Sequence, residues 1–230
     1  MDGMFHMHPP KTAGTSIIQA LIDNTSFAEK YGEIYKSRIN IHATPAWYNS
    51  KKNYFHHTIE NDSFVTLAVR EPYDRIISFC DWYSIGNDEP YSLDNHMSQI
   101  KRIRKMSLGD LSASPSPSLG DMLSVQSAMN FRLATSYTYC DWEDSVTNKV
   151  KIIRFESVEQ NFQTIYPGLQ LPQIHKKDIP SGRFSRCRKI FHSQEILDKF
   201  NNHYESDFER YNYTMHSHLD DLLQKYIENR

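Results

Sequence analysis

Apolar and polar positions along the chain alternate between short strand-like runs and longer helical ones. An apolar run over Met4–Met7 stops at two prolines, and residues 17–30 then place apolar side chains at helical spacing. The same order returns in the apolar run Ser63–Arg70, which ends before Pro72 and is followed by a predicted helix from Tyr73 to about Tyr83. Strands that alternate with helices predict an α/β fold with a central parallel sheet flanked by helices.

Weaker patterns predict the remaining elements. They are a short strand over Ser37–Pro45 that ends at His42, a helix over Asp121–Leu133, a strand over Lys149–Phe155, a loop over residues 166–190, and terminal helices over Ser193–Tyr204 and 218–229.

Residues 84–120 interrupt this alternation. They contain the Ser/Pro-rich stretch Ser112–Ser118, and a connection of this length is typical of a lid, a binding loop or disorder. Because no composition shift marks a boundary, we predict one domain over residues 1–230, with 84–120 as a substrate loop or lid insertion.

Composition excludes some classes of protein. The net charge is -2, with Lys+Arg 26 and Asp+Glu 28, which argues against a nucleic-acid-coating protein. The 3 cysteines show no CxxC spacing and favour a reducing compartment. We see no membrane span and no signal peptide, so we expect a cytoplasmic protein unless the chain is a trimmed form of a longer, membrane-anchored one.

The first strand-to-helix turn has the composition of an anion site. Lys11 brings a charge, Thr15 and Ser16 bring hydroxyls, and the helix N-terminus brings unpaired N–H groups. The alternative is that these hydroxyls merely cap the helix.

The second turn carries Arg70, with Ser78 eight residues further on. An arginine fork and a hydroxyl suit a second phosphate, although a surface arginine and a helix serine would look the same. Neither turn fits a kinase or ATPase. Lys11 precedes Gly14 instead of following it, and no strand ends in an aspartate that could hold Mg²⁺.

These residues resemble a known family. His8–Ser16 resembles the 5′-phosphosulfate loop of sulfotransferases that use 3′-phosphoadenosine 5′-phosphosulfate (PAPS), closest to the heparan sulfate 2-O/6-O type, whose loop reads like PKTGGTS. Arg70–Ser78 resembles that family's 3′-phosphate motif. Fainter similarities follow in the family's order at Gln126–Leu133, Ile153–Glu156, Leu171–Lys176 and Asp207–Tyr213.

The chain departs from the family's pattern at a few points. Pro10 and Ala13 vary the first loop, and the late loop has His175-Lys176 where the family often has His-x-Asn. The membrane anchor of the animal Golgi enzymes is not seen, which leaves a Golgi location and a glycosaminoglycan substrate unsupported.

The resemblance implies a single α/β domain of P-loop-like topology that binds PAPS, releases 3′-phosphoadenosine 5′-phosphate (PAP) and needs no metal. It implies catalysis by Lys11, which would stabilise charge on the bridging oxygen. The residues it implies for cofactor binding are Lys11, Thr12, Ala13, Gly14, Thr15, Ser16, Arg70, Ser78, Lys176 and Arg183.

The resemblance also implies a general base at His42, whose ordinary pKa suits that task. A strand-end histidine bonded to backbone is the alternative role for His42. The other candidates for the base are His6, His8, His56, His57 and, less favourably, Glu71.

The predicted function is transfer of the sulfuryl group of PAPS to a hydroxyl of a sugar or small metabolite. Two other functions stay open at this point: a nucleotide-dependent kinase, and a catalytically silent nucleotide-binding module.

Overall fold

The computed structural model describes the chain in separate stretches, with the backbone alone at residues 4, 81–85 and 228. The described residues are 4–7, 9–24, 27–29, 64–85, 93, 137–144, 146, 149–172 and 182–228. The chain divides into two compact units, one of Met1–Arg70 and Ser107–His175, the other of Glu71–Met106 and Lys176–Arg230. The expectation of one domain over residues 1–230 stays a prediction.

The first unit is built on a parallel sheet. Its strands are β1 (Met4–Met7), β2 (Phe64–Val69) and β3 (Val150–Arg154), in the order β1-β2-β3. Met7 pairs with Leu67, and Leu67 pairs in turn with Ile152, so the three strands run in register. The described strands and their helices confirm the predicted α/β class with a parallel sheet.

The central position of β2 follows from its composition. Val65, Leu67 and Val69 are each 0% exposed, and so are Thr66 and Ala68 between them. A strand that is apolar on both faces is stable only between two neighbouring layers, which is the environment of a middle strand in a parallel sheet.

Helices follow each strand or precede it. They are α1 (Gly14–Ile22) after β1, α3 (Tyr139–Asp144) before β3, a 3₁₀ turn (Phe155–Ser157) directly after β3, and α4 (Val158–Ile165). Helix α1 buries Ile17, Ile18 and Leu21, whose spacing places them on one face.

The second unit is helical in its described part. It comprises α2 (Pro72–Ile85), α5 (Arg183–Ile190), α6 (Gln194–Arg210) and α7 (Leu219–Glu228). Its core is an aromatic cluster around Tyr73, whose ring centroid lies 5.4 Å from that of Phe200, 4.9 Å from that of Phe208 and 5.6 Å from that of Phe191. Such clusters bury large areas with favourable ring geometry.

The polar end of Tyr73 is satisfied inside this core. Its hydroxyl donates to Asn201 Oδ1 at 2.6 Å and accepts the His216 N–H at 3.1 Å, while Asn201 Nδ2 donates to the His216 carbonyl at 2.8 Å. These bonds join α2, α6 and the segment before α7, and they remove the cost of burying a phenol.

Helix boundaries correct the sequence analysis at several points. Helix α1 begins at Gly14 and ends at Ile22, whereas the predicted helix covered residues 17–30. Helix α6 continues to Arg210, beyond the predicted end at Tyr204, and α5 occupies a stretch predicted as loop within 166–190. Helix α5 is strongly basic, so it lacks an obvious apolar stripe, yet it buries Cys187 and Ile190. The predicted strand over 37–45, the insertion over 86–120 except Leu93, and the helix over 121–133 lie outside the described residues.

None of the helices in the described stretches is both long enough and apolar enough to cross a bilayer. Cys80, Cys140 and Cys187 are buried, and none of them forms a disulfide within the described stretches. The expected cytoplasmic location stays a prediction.

Helix α6 ends in a Schellman motif, which explains part of the terminal signature. Asn212 has φ 52, the Tyr213 N–H donates to the Phe208 carbonyl at 2.9 Å, and the Asn212 N–H donates to the Glu209 carbonyl at 3.2 Å. Asparagine tolerates this left-handed conformation better than residues with an ordinary Cβ substituent.

We expect Asn212→Ala to lower the free energy of unfolding by about 1 kcal/mol, because the left-handed conformation is less favourable for alanine than for asparagine. Asn212→Gly should be neutral or stabilising, because glycine adopts this conformation without steric cost. Urea denaturation measures both. Asn202, exposed within α6, is the matched control, since alanine there should stabilise slightly. Equal effects of alanine at the two positions would contradict this account of the helix end.

Candidate functional site

The candidate site of the first unit lies where the described parallel strands β1, β2 and β3 end. Strand β1 is followed by the turn Pro9–Ala13, β2 by Arg70, and β3 by Phe155. Parallel strands end at one edge of a sheet, and ligands of open α/β sheets bind at that edge. Because β2 is the middle strand, Arg70 lies between the segments that follow β1 and β3.

The turn after β1 (Pro9–Ala13, the phosphate turn) has an unusual backbone. Lys11 has φ 69, and Ala13 has φ 64 and ψ 12, both in the left-handed region. This conformation costs a residue other than glycine about 1–2 kcal/mol. Strain of this kind persists only where surrounding contacts hold it, and it is common at ligand sites.

Thr12 provides one of those contacts. Its side chain is buried, and its hydroxyl donates to the Pro9 carbonyl at 2.6 Å, which closes the turn on itself. A role of Thr12 in cofactor binding stays a prediction, and it would depend on the backbone N–H, since the hydroxyl proton is used within the turn.

The N-terminus of α1 presents backbone donors. The N–H groups of Ser16 and Ile17 both donate to the Ala13 carbonyl, at 3.0 and 3.2 Å. The N–H groups of Gly14 and Thr15 lie at the start of the helix, where no earlier helical carbonyl is available to accept them. They have no hydrogen-bond partner among the described residues. Thr15 is exposed and Ser16 half-buried, so their hydroxyls complete a set of donors suited to an anion.

Arg70 is brought to the phosphate turn from the middle strand. Its Nη1 donates to the Lys11 carbonyl at 3.1 Å, and its Cζ lies 4.1 Å from the Phe155 ring centroid. Its backbone N–H donates to the Tyr139 hydroxyl at 3.2 Å. The structure therefore joins two of the predicted site residues, Lys11 and Arg70, in one contact.

Phe155 and Tyr139 are contributors that the sequence analysis did not assign to the site. Phe155 belongs to a strand motif of the sequence, and Tyr139 is the first residue of the short helix α3, which has no distinctive sequence pattern. Their contacts with Arg70 depend on the order of strands in the sheet, which a sequence pattern does not specify.

The remaining predicted residues are distributed differently. Ser78 lies on α2 in the second unit and is half-buried. Arg183 opens α5 in that unit, with its Nη1 3.8 Å from Asp74 Oδ1. Lys176 and the predicted base His42 lie outside the described residues, as do the alternative bases His8, His56 and His57. The roles of Ser78, Arg183, Lys176 and His42 stay predictions.

Glu71, the carboxylate candidate for the base, has a structural position at the start of α2. Its Oε2 accepts the Asp74 N–H at 2.8 Å and lies 2.9 Å from Lys225 Nζ. Burial raises the pKa of Glu71, and the charge of Lys225 opposes that shift. A carboxylate that caps one helix and pairs with another serves the packing of the second unit.

His6 is removed from the candidates for the base by its burial. It is 1% exposed within β1, and its Nδ1 lies 2.9 Å from Thr66 Oγ1, which is in turn 2.9 Å from the Tyr166 hydroxyl. Desolvation lowers the pKa of His6 to about 3. A histidine that stays neutral inside a sheet stabilises the sheet and does not meet substrate.

The burial of His6 predicts a loss of stability in mild acid. The unfolded chain binds a proton at His6 below about pH 6.5, and the folded chain does so only near pH 3. Stability should fall as pH decreases between these values, by about 1.4 kcal/mol per pH unit from this residue.

Unfolding by urea at pH 7.5 and 5.0 measures this dependence. His6→Asn, which keeps a polar group near the position of Nδ1, should reduce the difference between the two pH values. His218→Asn, at an exposed position, controls for the substitution itself. An unchanged pH dependence in His6→Asn would show that His6 is protonated normally in the folded chain.

No group of three or more His, Cys, Asp or Glu residues in the described stretches is arranged to hold a metal ion.

Comparison with known protein families identifies a relationship. The family model described as "Sulfotransferase family" matches residues 1–214, which include both turns and the described strands β1, β2 and β3. No curated protein and no solved structure matches the chain.

Proposed function

The chain belongs to the sulfotransferase family, and on this premise we propose that it moves the sulfuryl group of PAPS to a hydroxyl of a sugar or small metabolite. The products are PAP and a sulfate ester. The observation that carries the choice of donor is the contact between Arg70 and the phosphate turn, because it places two cationic segments at one sheet edge. A donor with phosphates at both its 3′ and 5′ positions would place one phosphate against each of these cationic segments.

The 5′ end of the donor fits the phosphate turn. Several groups favour an anion there: the N–H groups of Gly14 and Thr15, which have no partner in the described stretches, the hydroxyls of Thr15 and Ser16, and the α1 dipole. Ala13 contributes through its left-handed backbone, which lets Gly14 begin the helix at this point.

The 3′-phosphate is assigned to Arg70 and Ser78. A guanidinium offers five N–H donors in a planar fork, a geometry that suits the oxygens of a phosphate. Lys176 and Arg183 are proposed to approach the donor from the later segments of the chain.

Lys11 is the proposed catalytic cation. PAPS supplies an activated sulfuryl group, and cleavage of its S–O bond leaves negative charge on the bridging phosphate oxygen. A cation near that oxygen stabilises the transition state more than the ground state, which raises the rate. His42 is proposed to accept the proton of the acceptor hydroxyl as that oxygen forms its bond to sulfur.

The direct test is transfer of radiolabelled sulfuryl groups from PAPS to a panel of sugars and small hydroxyl compounds, without added metal. We expect a labelled ester with at least one acceptor class. Transfer of the γ-phosphate of ATP in the presence of Mg²⁺ would support the kinase alternative, and tight PAP binding without transfer to any acceptor would support the silent module.

In the same assay we expect Lys11→Ala to reduce the rate by about 10²–10³, the usual loss for one transition-state donor. Alanine has the same cost as lysine in the left-handed backbone conformation, so the change in rate reports the loss of the charged side chain. Lys189→Ala removes an equal charge from an exposed position on α5 and should retain activity. Equal rates for Lys11→Ala and Lys189→Ala would rule out Lys11 as the catalytic cation.

A further inference from the structure

The phosphate turn carries a backbone cost that must be offset by nearby contacts. Lys11 has φ 69, a conformation that costs a lysine about 1–2 kcal/mol when nothing holds it. Thr12 fixes the start of the turn through its bond to the Pro9 carbonyl. A contact at the Lys11 carbonyl adds support at the strained residue itself and helps the turn keep its shape before a ligand arrives.

Arg70 makes that contact. The bond from its Nη1 to the Lys11 carbonyl is 3.1 Å long and part-buried. A bond from an ionised donor is stronger than a neutral one, and shielding from water strengthens it further. Orientation of a carbonyl fixes the peptide plane to which it belongs, so this bond also fixes the direction of the next N–H group.

Arg70 is itself held in place by its neighbours. Its side chain is 6% exposed, its Cζ lies over the Phe155 ring at 4.1 Å, and its backbone N–H is bonded to Tyr139. An arginine whose guanidinium stacks on a ring and whose backbone is hydrogen-bonded is already restricted to few orientations before a ligand binds. It can therefore hold the Lys11 carbonyl in one position.

We infer that Arg70 is a positioning residue for Lys11 in addition to a ligand of the 3′-phosphate. This inference rests on the proposed function, which assigns the 5′ end of the donor to the phosphate turn. It follows that the two ends of the donor site are coupled: a change at Arg70 weakens binding of the 5′-phosphate even when the ligand has no 3′-phosphate.

The test compares two isomers, adenosine 5′-monophosphate and adenosine 3′-monophosphate, by NMR or calorimetric titration. We expect Arg70→Lys, which keeps the charge but loses the planar fork, to weaken binding of the 5′ isomer by about tenfold. Phe155→Leu keeps Arg70 but removes the ring on which its guanidinium stacks, so it should also weaken binding of the 5′ isomer. Phe155→Tyr keeps a ring at this position and should bind with wild-type affinity.

Controls separate positioning from general effects. Arg188→Ala removes an exposed arginine of α5 and should leave the affinity for both isomers unchanged. Urea denaturation identifies any variant whose loss of affinity follows from unfolding.

The outcomes distinguish the inference from the proposed function. If both Arg70→Lys and Phe155→Leu bind the 5′ isomer as tightly as wild type while the 3′ isomer is lost, Arg70 is only a 3′-phosphate ligand and the inference is wrong. If the wild-type chain does not bind the 3′ isomer, the assignment of PAPS is wrong, and the 5′ isomer still tests whether Arg70 positions the phosphate turn.

Discussion

The bond from the Arg70 guanidinium to the Lys11 carbonyl is the contact on which the candidate site depends. It joins segments 59 residues apart, and it exists because β1 and β2 are parallel neighbours that end at the same edge. The left-handed backbone of Lys11 needs such support, since the conformation is unfavourable by itself. In the first unit, the sheet topology therefore brings Arg70 to Lys11, and the contact between them supports the strained backbone of the turn.

Much of the fold could be predicted because burial imposes simple patterns. Strand β2 is apolar at nearly every position, and the structure places it in the middle of the sheet, where both faces are covered. Helix α5 could not be predicted in this way. Its surface is basic, only Cys187 and Ile190 are fully buried along it, and the ion pair of Arg183 with Asp74 depends on tertiary packing. The boundary of α1 was also missed, because Gly14 carries no apolar signal.

The site was predicted from residue types and could be only partly specified. Lys11 and Arg70 were identified from their motifs, and the contact between them agrees with a shared site. The inward hydroxyl of Thr12 and the support from Phe155 depend on backbone conformation and strand order, which the sequence pattern does not contain. Burial, in turn, separates His6 from the histidines that could act as a base.

The most direct test of the central claim, that this edge of the sheet holds a donor with phosphates at both ends, is a crystal structure with PAP bound. We expect the 5′-phosphate within hydrogen-bonding distance of the Gly14 and Thr15 N–H groups and of Lys11 Nζ, with the 3′-phosphate on the Arg70 guanidinium. PAP bound at another place, or with its 5′-phosphate away from the phosphate turn, would contradict this claim.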